Sequence, residues 1–267
     1  MFTKRVISGA VLVVLALYLV RNGGTPLLAI SLLLSILGLF ELYRVFHMEY
    51  EPIAFVGYLA TIIYYGMIWY GQEDGLMLLI IGSLMLCLAI FAFTYPKYKT
   101  EQVSMTFFGI LYISIMLSFM YKVRMMNDGI YLVWLIFISA WGADTSAYVA
   151  GRLAGKHHIA PILSPKKTLE GCIGGVIGAA ILGGIYGMIV GSQLSDLSYP
   201  PVACAFACGI SAILSEIGDF AASAIKRDHG VKDYGDLIPG HGGVLDRFDS
   251  MLFTSAAFYF AILFIKF

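Results

Sequence analysis

Carboxylates and cations fall at helical spacing in three short segments of an otherwise apolar chain. In SEIGDFAASAIKR, residues 215–227, Glu216, Asp219, Ser223 and then Lys226 or Arg227 share one stripe of a helix. In GADTSAYVAGR, residues 142–152, Asp144 and Tyr148 are i, i+4 partners ahead of Arg152. DRFD, residues 246–249, opens an apolar stretch with Asp246 and Asp249 at i, i+3. Taken singly, each acid has a plain explanation: Glu216 as a buried partner for Lys or Arg, Asp246 and Asp249 as carboxylates favoured by the positive end of a helix dipole. Taken together they point to metal binding, because acids gathered at one depth repel unless cations sit between them, and hard divalent ions such as Mg²⁺ prefer oxygen ligands.

Basic groups accompany the acids. SPKKTLEG, residues 164–171, places Lys166 and Lys167 just before a helix whose first amides lie near Thr168 to Gly171, an arrangement suited to phosphate. Residues 223–249, SAIKRDHGVKDYGDLIPGHGGVLDRFD, add Lys226, Arg227, Lys232 and Arg247, and the turn PGHGG at 239–243 lets backbone approach a ligand closely. His241, alone in that turn, reads as a hydrogen-bonding or phosphate-contacting group rather than a proton carrier. Acids for metal, bases for phosphate and a glycine turn are the parts of a phosphoryl- or nucleotidyl-transfer site. Neither a Walker A sequence nor a Rossmann fingerprint is present, and no Ser/His/Asp series argues for acyl transfer.

The elements that must position these groups are membrane helices. The chain has 267 residues, of which 60% are hydrophobic and 13% charged, with a mean hydropathy of +0.85. Those values lie outside the soluble globular range and define an all-α, polytopic integral membrane protein. About nine stretches are long enough to cross a hydrocarbon core, near residues 6–20, 26–46, 53–71, 75–95, 105–121, 129–151, 171–190, 199–222 and 250–266. The first, flanked by Lys4, Arg5 and Arg21, also suits a signal peptide, but no clean cleavage site comes after it and it reads as an uncleaved helix. With the N-terminus inside and the C-terminus outside, most Lys and Arg fall on the cytoplasmic side, leaving Arg21, Lys122, Arg124 and Lys266 outside. Residues 152–170 and 223–249 then face the cytoplasm.

The formal net charge is zero and argues against nucleic-acid binding. Cys87, Cys172, Cys204 and Cys208 sit in apolar stretches as small hydrophobes. The glycines of GCIGGVIGAAILGGIYG, residues 171–187, recur at helix-packing spacing, which also makes a homodimer plausible. Residues 1–267 are expected to form one membrane domain, with a multi-span region over 1–125 and the chemistry in 126–267. On acids alone, an ion-coupled transporter using Asp144, Glu216 and Asp219 competes with an enzyme, but the acids gather towards one face and no second half repeats them.

Ser223, Ile225, Lys226, Arg227, Lys232, Asp233, Gly235, Ile238, Pro239, His241, Gly242, Gly243, Val244, Asp246, Arg247, Phe248 and Asp249 together resemble the complete signature of the phosphatidate cytidylyltransferases, and GADTSAY and SPKKTLEG resemble further segments of that family. The resemblance covers the C-terminal half at motif level. It implies conversion of CTP and phosphatidic acid to CDP-diacylglycerol and pyrophosphate with Mg²⁺, a second cation being left open; a CTP-dependent lipid-alcohol kinase, which would release CDP, is the other alternative. On that basis Asp219, Asp246 and Asp249 are expected metal ligands and Asp144 a further ligand or supporting acid. Lys166, Lys167, Lys226, Arg227 and Arg247 are expected to hold the triphosphate and the lipid phosphate, with Lys232, Tyr148, His241, Gly242 and Gly243 lining the substrates and Ser223 orienting a phosphate or a carboxylate. Such a site is expected at the cytoplasmic face of a membrane, and the compact chain favours a bacterial inner membrane.

Overall fold

A computed structural model describes residues 14–161, 163–238 and 242–266. Among the described residues eight helices are long and apolar enough to span a bilayer: α1 Gly24–Val45, α2 Pro52–Tyr70, α3 Glu73–Thr94, α4 Thr100–Met125, α5 Gly129–Ala154, α6 Leu169–Gln193, α7 Pro200–Asp228 and α8 Leu245–Ile265. The count among these residues is therefore eight rather than about nine. The expected first span, near 6–20, falls mostly outside the described residues, although 14–22 are helical. Among the described residues only two isolated β-bridges accompany the helices, as expected where lipid leaves backbone groups no partner but their own helix.

By backbone proximity the chain divides into two compact units, Met1–Ser118 with His229–Arg247, and Phe119–Asp228 with Phe248–Phe267. The signature 223–249 is shared between them, its middle in the first unit and its ends in the second.

In the first unit, Pro52 at the opening position of α2 supplies the fixed φ that a helix start accepts. α1, α2 and α4 are joined by buried hydroxyls: Tyr43 donates to the Thr106 carbonyl at 2.9 Å, Thr61 and Ser114 meet at 2.6 Å, and Tyr64 and Ser118 at 2.8 Å. Such bonds contribute roughly 0.6 kcal/mol each in a membrane protein. α3 instead turns Leu78 and Phe93 outward, 78% and 91% exposed, as a lipid-facing helix would. Outside the spans, Lys97 and the Tyr98 hydroxyl converge on the Glu51 carboxylate, at 2.6 and 2.9 Å, and hold its pKa below the ordinary value.

In the second unit α6 is the central packing element, and its glycines explain why. A Cβ at Gly175 would lie 3.0 Å from the Ala143 carbonyl oxygen of α5, and one at Gly174 would overlap Ala150. On the opposite side, a Cβ at Gly183 would meet Cys208 Sγ at 2.6 Å, and one at Gly187 the Pro200 carbonyl oxygen at 2.7 Å. The glycine spacing read from the sequence is thus used within the chain, letting α5 and α7 approach α6 closely. A π-helical turn, Ile138–Gly142, interrupts α5 just before Asp144. Its wider winding rotates the last three turns of α5 relative to an unbroken α-helix.

Candidate active site

Lys167 lies in the loop 155–168, which is closed on itself before α6 begins. Leu169 N donates to the His157 carbonyl at 2.8 Å and Ile159 N to that of Lys167 at 3.3 Å. Glu170 gathers the loop from inside α6, its Oε2 accepting from Lys156 N and His157 N at 3.0 and 3.2 Å. Thr168 is the N-cap, its hydroxyl accepting from Gly171 N at 3.2 Å. These contacts fix the two lysines that the sequence places beside the helix start.

The Lys167 ammonium meets Glu216 Oε2 and Asp219 Oδ2, each at 2.6 Å, and stands 4.7 Å from the centre of the Phe220 ring. One turn of α7 separates the two acids, so the helical stripe expected from their spacing is what lets a single cation bridge them. Burial opposes the charge on Lys167, but Asp219 and then Glu216 outweigh it and hold its pKa above the ordinary lysine value. Cys172 Sγ, 3.7 Å from Glu216 Oε2, completes the surroundings of that carboxylate.

Around this core runs a cleft of about 320 Å³ lined by Asp144, Tyr148, Gly151, Arg152, Lys166, Lys167 and Glu216, among others. Asp144, Tyr148, Arg152 and Lys166 are exposed to it, and Arg152 donates to the Tyr148 hydroxyl at 3.5 Å. Nearby in sequence, Lys226 Nζ approaches Asp249 Oδ2 at 3.9 Å, both side chains almost buried. Ser223, one turn beyond Asp219, is half-buried, and Arg227 is exposed.

The remaining expected residues belong to the first unit. Asp246 Oδ2 accepts from Tyr234 N at 2.8 Å and Gly243 N at 3.1 Å. The amide of Gly243, a residue expected to line the substrates, is therefore given to a carboxylate of the chain itself. Ile238 N donates to the Gly242 carbonyl at 2.9 Å across the turn, and Gly242 has φ +90°, a conformation that favours glycine. His241 lies outside the described residues, while Lys232 and Arg247 are exposed.

Sequence reading missed Glu41, a buried acid of α1 whose oxygens accept from Val244 N at 2.9 Å and Leu245 N at 2.7 Å. The signal was available: it is the one acid in an otherwise apolar span, and intramembrane acids are functional candidates by default. It also passed over Arg152 as a cleft cation and Lys167 as the partner of both Glu216 and Asp219.

The donor chemistry suits Mg²⁺, since the acids supply hard oxygens and two of them already converge on a cation, the Lys167 ammonium. Among the described residues no three acidic, histidine or cysteine side chains are grouped to hold one ion.

The fold and cleft define an integral membrane protein whose polar site sets exposed cations beside a carboxylate-bound lysine, chemistry suited to a phosphate-bearing ligand. The chain belongs to the cytidylyltransferase family, which it matches over residues 3–265. It is 31% identical over 255 residues to the phosphatidate cytidylyltransferase of Staphylococcus haemolyticus (strain JCSC1435), covering 94% of this chain and 95% of that one. Identity to the phosphatidate cytidylyltransferase of Bacillus subtilis (strain 168) is 26% over 267 residues, 97% of each chain. A phosphatidate cytidylyltransferase of Staphylococcus aureus (strain COL) is 37% identical over 151 residues, 55% of this chain and 54% of that one.

Proposed function

We propose that this protein is a nucleotidyltransferase that moves the cytidylyl group of CTP onto phosphatidic acid, giving CDP-diacylglycerol and pyrophosphate for phospholipid synthesis. The observation that carries the reading is the cleft of α5, α6 and α7, in which Arg152 and Lys166 are exposed beside the Lys167, Glu216 and Asp219 cluster, in a chain of the cytidylyltransferase family. A lipid phosphate oxygen attacks the α-phosphorus, the new P–O bond forms, and the bond to the β-phosphate oxygen breaks with its electrons leaving on pyrophosphate. A phosphomonoester is largely dianionic near neutral pH, its second pKa being about 6, so no general base is needed. The task left to the protein is alignment and charge neutralisation. Lys166, Arg152, Lys226, Arg227 and Arg247 are the proposed phosphate-holding cations, and Lys167 holds Glu216 and Asp219 together at the cleft floor. Tyr148 and Ser223 orient bound groups, and Lys232, His241, Gly242 and Gly243 line the substrates.

The acids proposed for Mg²⁺ are Asp144, Asp219, Asp246 and Asp249, on the strength of their donor chemistry. When bound, the ion would offset negative charge on the triphosphate. The site is proposed to face the cytoplasm of a bacterial inner membrane, where CTP and the lipid phosphate meet. The test is purified protein in lipid-detergent micelles with CTP, phosphatidic acid and Mg²⁺. Equimolar pyrophosphate and CDP-diacylglycerol are expected. Release of CDP in place of pyrophosphate would overturn cytidylyl transfer in favour of a kinase, and absence of any CTP turnover would overturn both.

A further inference from the structure

Glu41 is 1% exposed, and both of its carboxylate oxygens are taken by backbone: Oε1 accepts from Val244 N and Oε2 from Leu245 N, across 203 and 204 residues of sequence. These are the amides of the residue before α8 and of its first residue, which have no acceptor within the helix itself. A local N-cap side chain reaches amides further along, so Glu41 supplies from α1 an acceptor for two amides that a residue at position 244 could not serve. The neighbouring glycines fit the carboxylate closely. A Cβ on Gly243 would meet Glu41 Oε2 at 2.6 Å, and one on Gly235 would overlap Oε1. Asp246, the residue after Leu245, holds the same loop from the other side by accepting from Tyr234 N and Gly243 N.

A side chain at position 244 could not replace this arrangement, because an N-cap hydroxyl accepts from amides two or three residues on and not from its own N–H or the next one. Burying a carboxylate is costly unless its oxygens are hydrogen-bonded, and here both are. What Glu41 adds is a fixed relation between α1 and the first turn of α8, the turn that carries Asp246. We infer that Glu41 is a positioning residue for the transfer reaction: through the Val244 and Leu245 amides it fixes the start of α8 and thereby the direction of the Asp246 carboxylate. It touches no substrate. The inference rests on the reading that Asp246 serves the reaction.

The test compares Glu41→Gln, Asp246→Asn and the double variant, as full-length protein in micelles, by steady-state kinetics and amide hydrogen exchange over residues 233–247. Glutamine keeps the size but replaces one of the two accepting oxygens with an NH₂ donor, which would face a backbone N–H, so it cannot serve both amides where they lie. Glu41→Gln is expected to lower kcat about tenfold or more with KM for CTP and phosphatidic acid within about twofold, to speed exchange at Val244 and Leu245, and to add little to the loss from Asp246→Asn. Glu41→Asp, which retains both oxygens on a shorter stem, is expected to recover part of kcat. Wild-type turnover by Glu41→Gln beside an impaired Asp246→Asn would overturn the positioning role alone. Wild-type turnover by Asp246→Asn would instead remove the reading beneath it. Losses that multiply in the double variant would show that Glu41 acts independently of Asp246, and failure of both Glu41 variants to fold would leave it a stability residue; either result overturns the inference.

Discussion

Lys167 sets the electrostatics of the cleft, because its ammonium is the cation between two acids that would otherwise face each other across one turn of α7. Its charge is held by Asp219 and Glu216 against the penalty of burial. Replacing it with methionine removes the cation but leaves both carboxylates, and breaking a largely buried pair in this way costs roughly 3 kcal/mol. We expect Lys167→Met to melt at lower temperature and to release pyrophosphate at least about 100-fold more slowly, the scale on which losing a preorganised electrostatic group acts. In Lys167→Met/Glu216→Gln the repulsion is relieved, so most of the stability should return while turnover stays low. Melting in detergent and pyrophosphate release, measured on both variants, separate the two roles; recovery of both together would reduce Lys167 to a structural partner. The stripe Glu216, Asp219, Ser223 was legible in the sequence because helix geometry alone aligns it. That Lys167 closes on it was not, since residues 49 apart in sequence meet only through the fold of loop 155–168. Glu41 was hidden by the same kind of distance, 203 residues to its first partner.

At the scale of elements, apolar runs gave the helices well: expected spans at 26–46, 53–71 and 129–151 lie close to Gly24–Val45, Pro52–Tyr70 and Gly129–Ala154. The π-helical turns Ile110–Ile115 and Ile138–Gly142 were not legible, because ILYISI and ISAWG carry no residue that forbids an ordinary α-turn. The glycines of α6 were legible as packing residues, though not which helix each one meets. Two substitutions of the same chemistry therefore should have opposite effects. Gly183→Ala places a methyl against Cys208 Sγ and the Cys204 carbonyl, and overpacking of this kind costs roughly 1–3 kcal/mol. Gly82→Ala in α3 meets nothing within 4 Å and gains helix propensity of up to about 1 kcal/mol. Thermal midpoints of the purified variants should fall for the first and hold or rise for the second. Equal midpoints would mean that α6 does not seat against α7 through Gly183.

At the scale of the whole molecule, the reaction proposed here demands that loop 155–168 and the start of α8 lie on the side where CTP is found. The distribution of cations supports that orientation: Arg44, Lys97, Lys99, Arg152, Lys156, Lys166, Lys167, Lys226, Arg227, Lys232 and Arg247 fall at one set of helix ends or loops, against Arg21, Lys122, Arg124 and Lys266 at the other. Two of these exceptions, Lys122 and Arg124, have a local cause. Both sit in the last turn before Met125, where cations complement the helix dipole, and Lys122 Nζ also stands 5.4 Å from the centre of the Phe119 ring. The four cysteines are free and none is exposed, so a background with each replaced by alanine allows single reporter cysteines to be added. Gln72 and Ser198, exposed between α2 and α3 and between α6 and α7, should as cysteines be labelled in intact cells by a membrane-impermeant maleimide. Lys99 and Lys156, exposed between α3 and α4 and between α5 and α6, should be labelled only after the membrane is opened. The reverse pattern would put the Lys167 cleft on the face away from CTP, and a cytidylyl transfer at that cleft would then be untenable whatever the purified protein does in micelles.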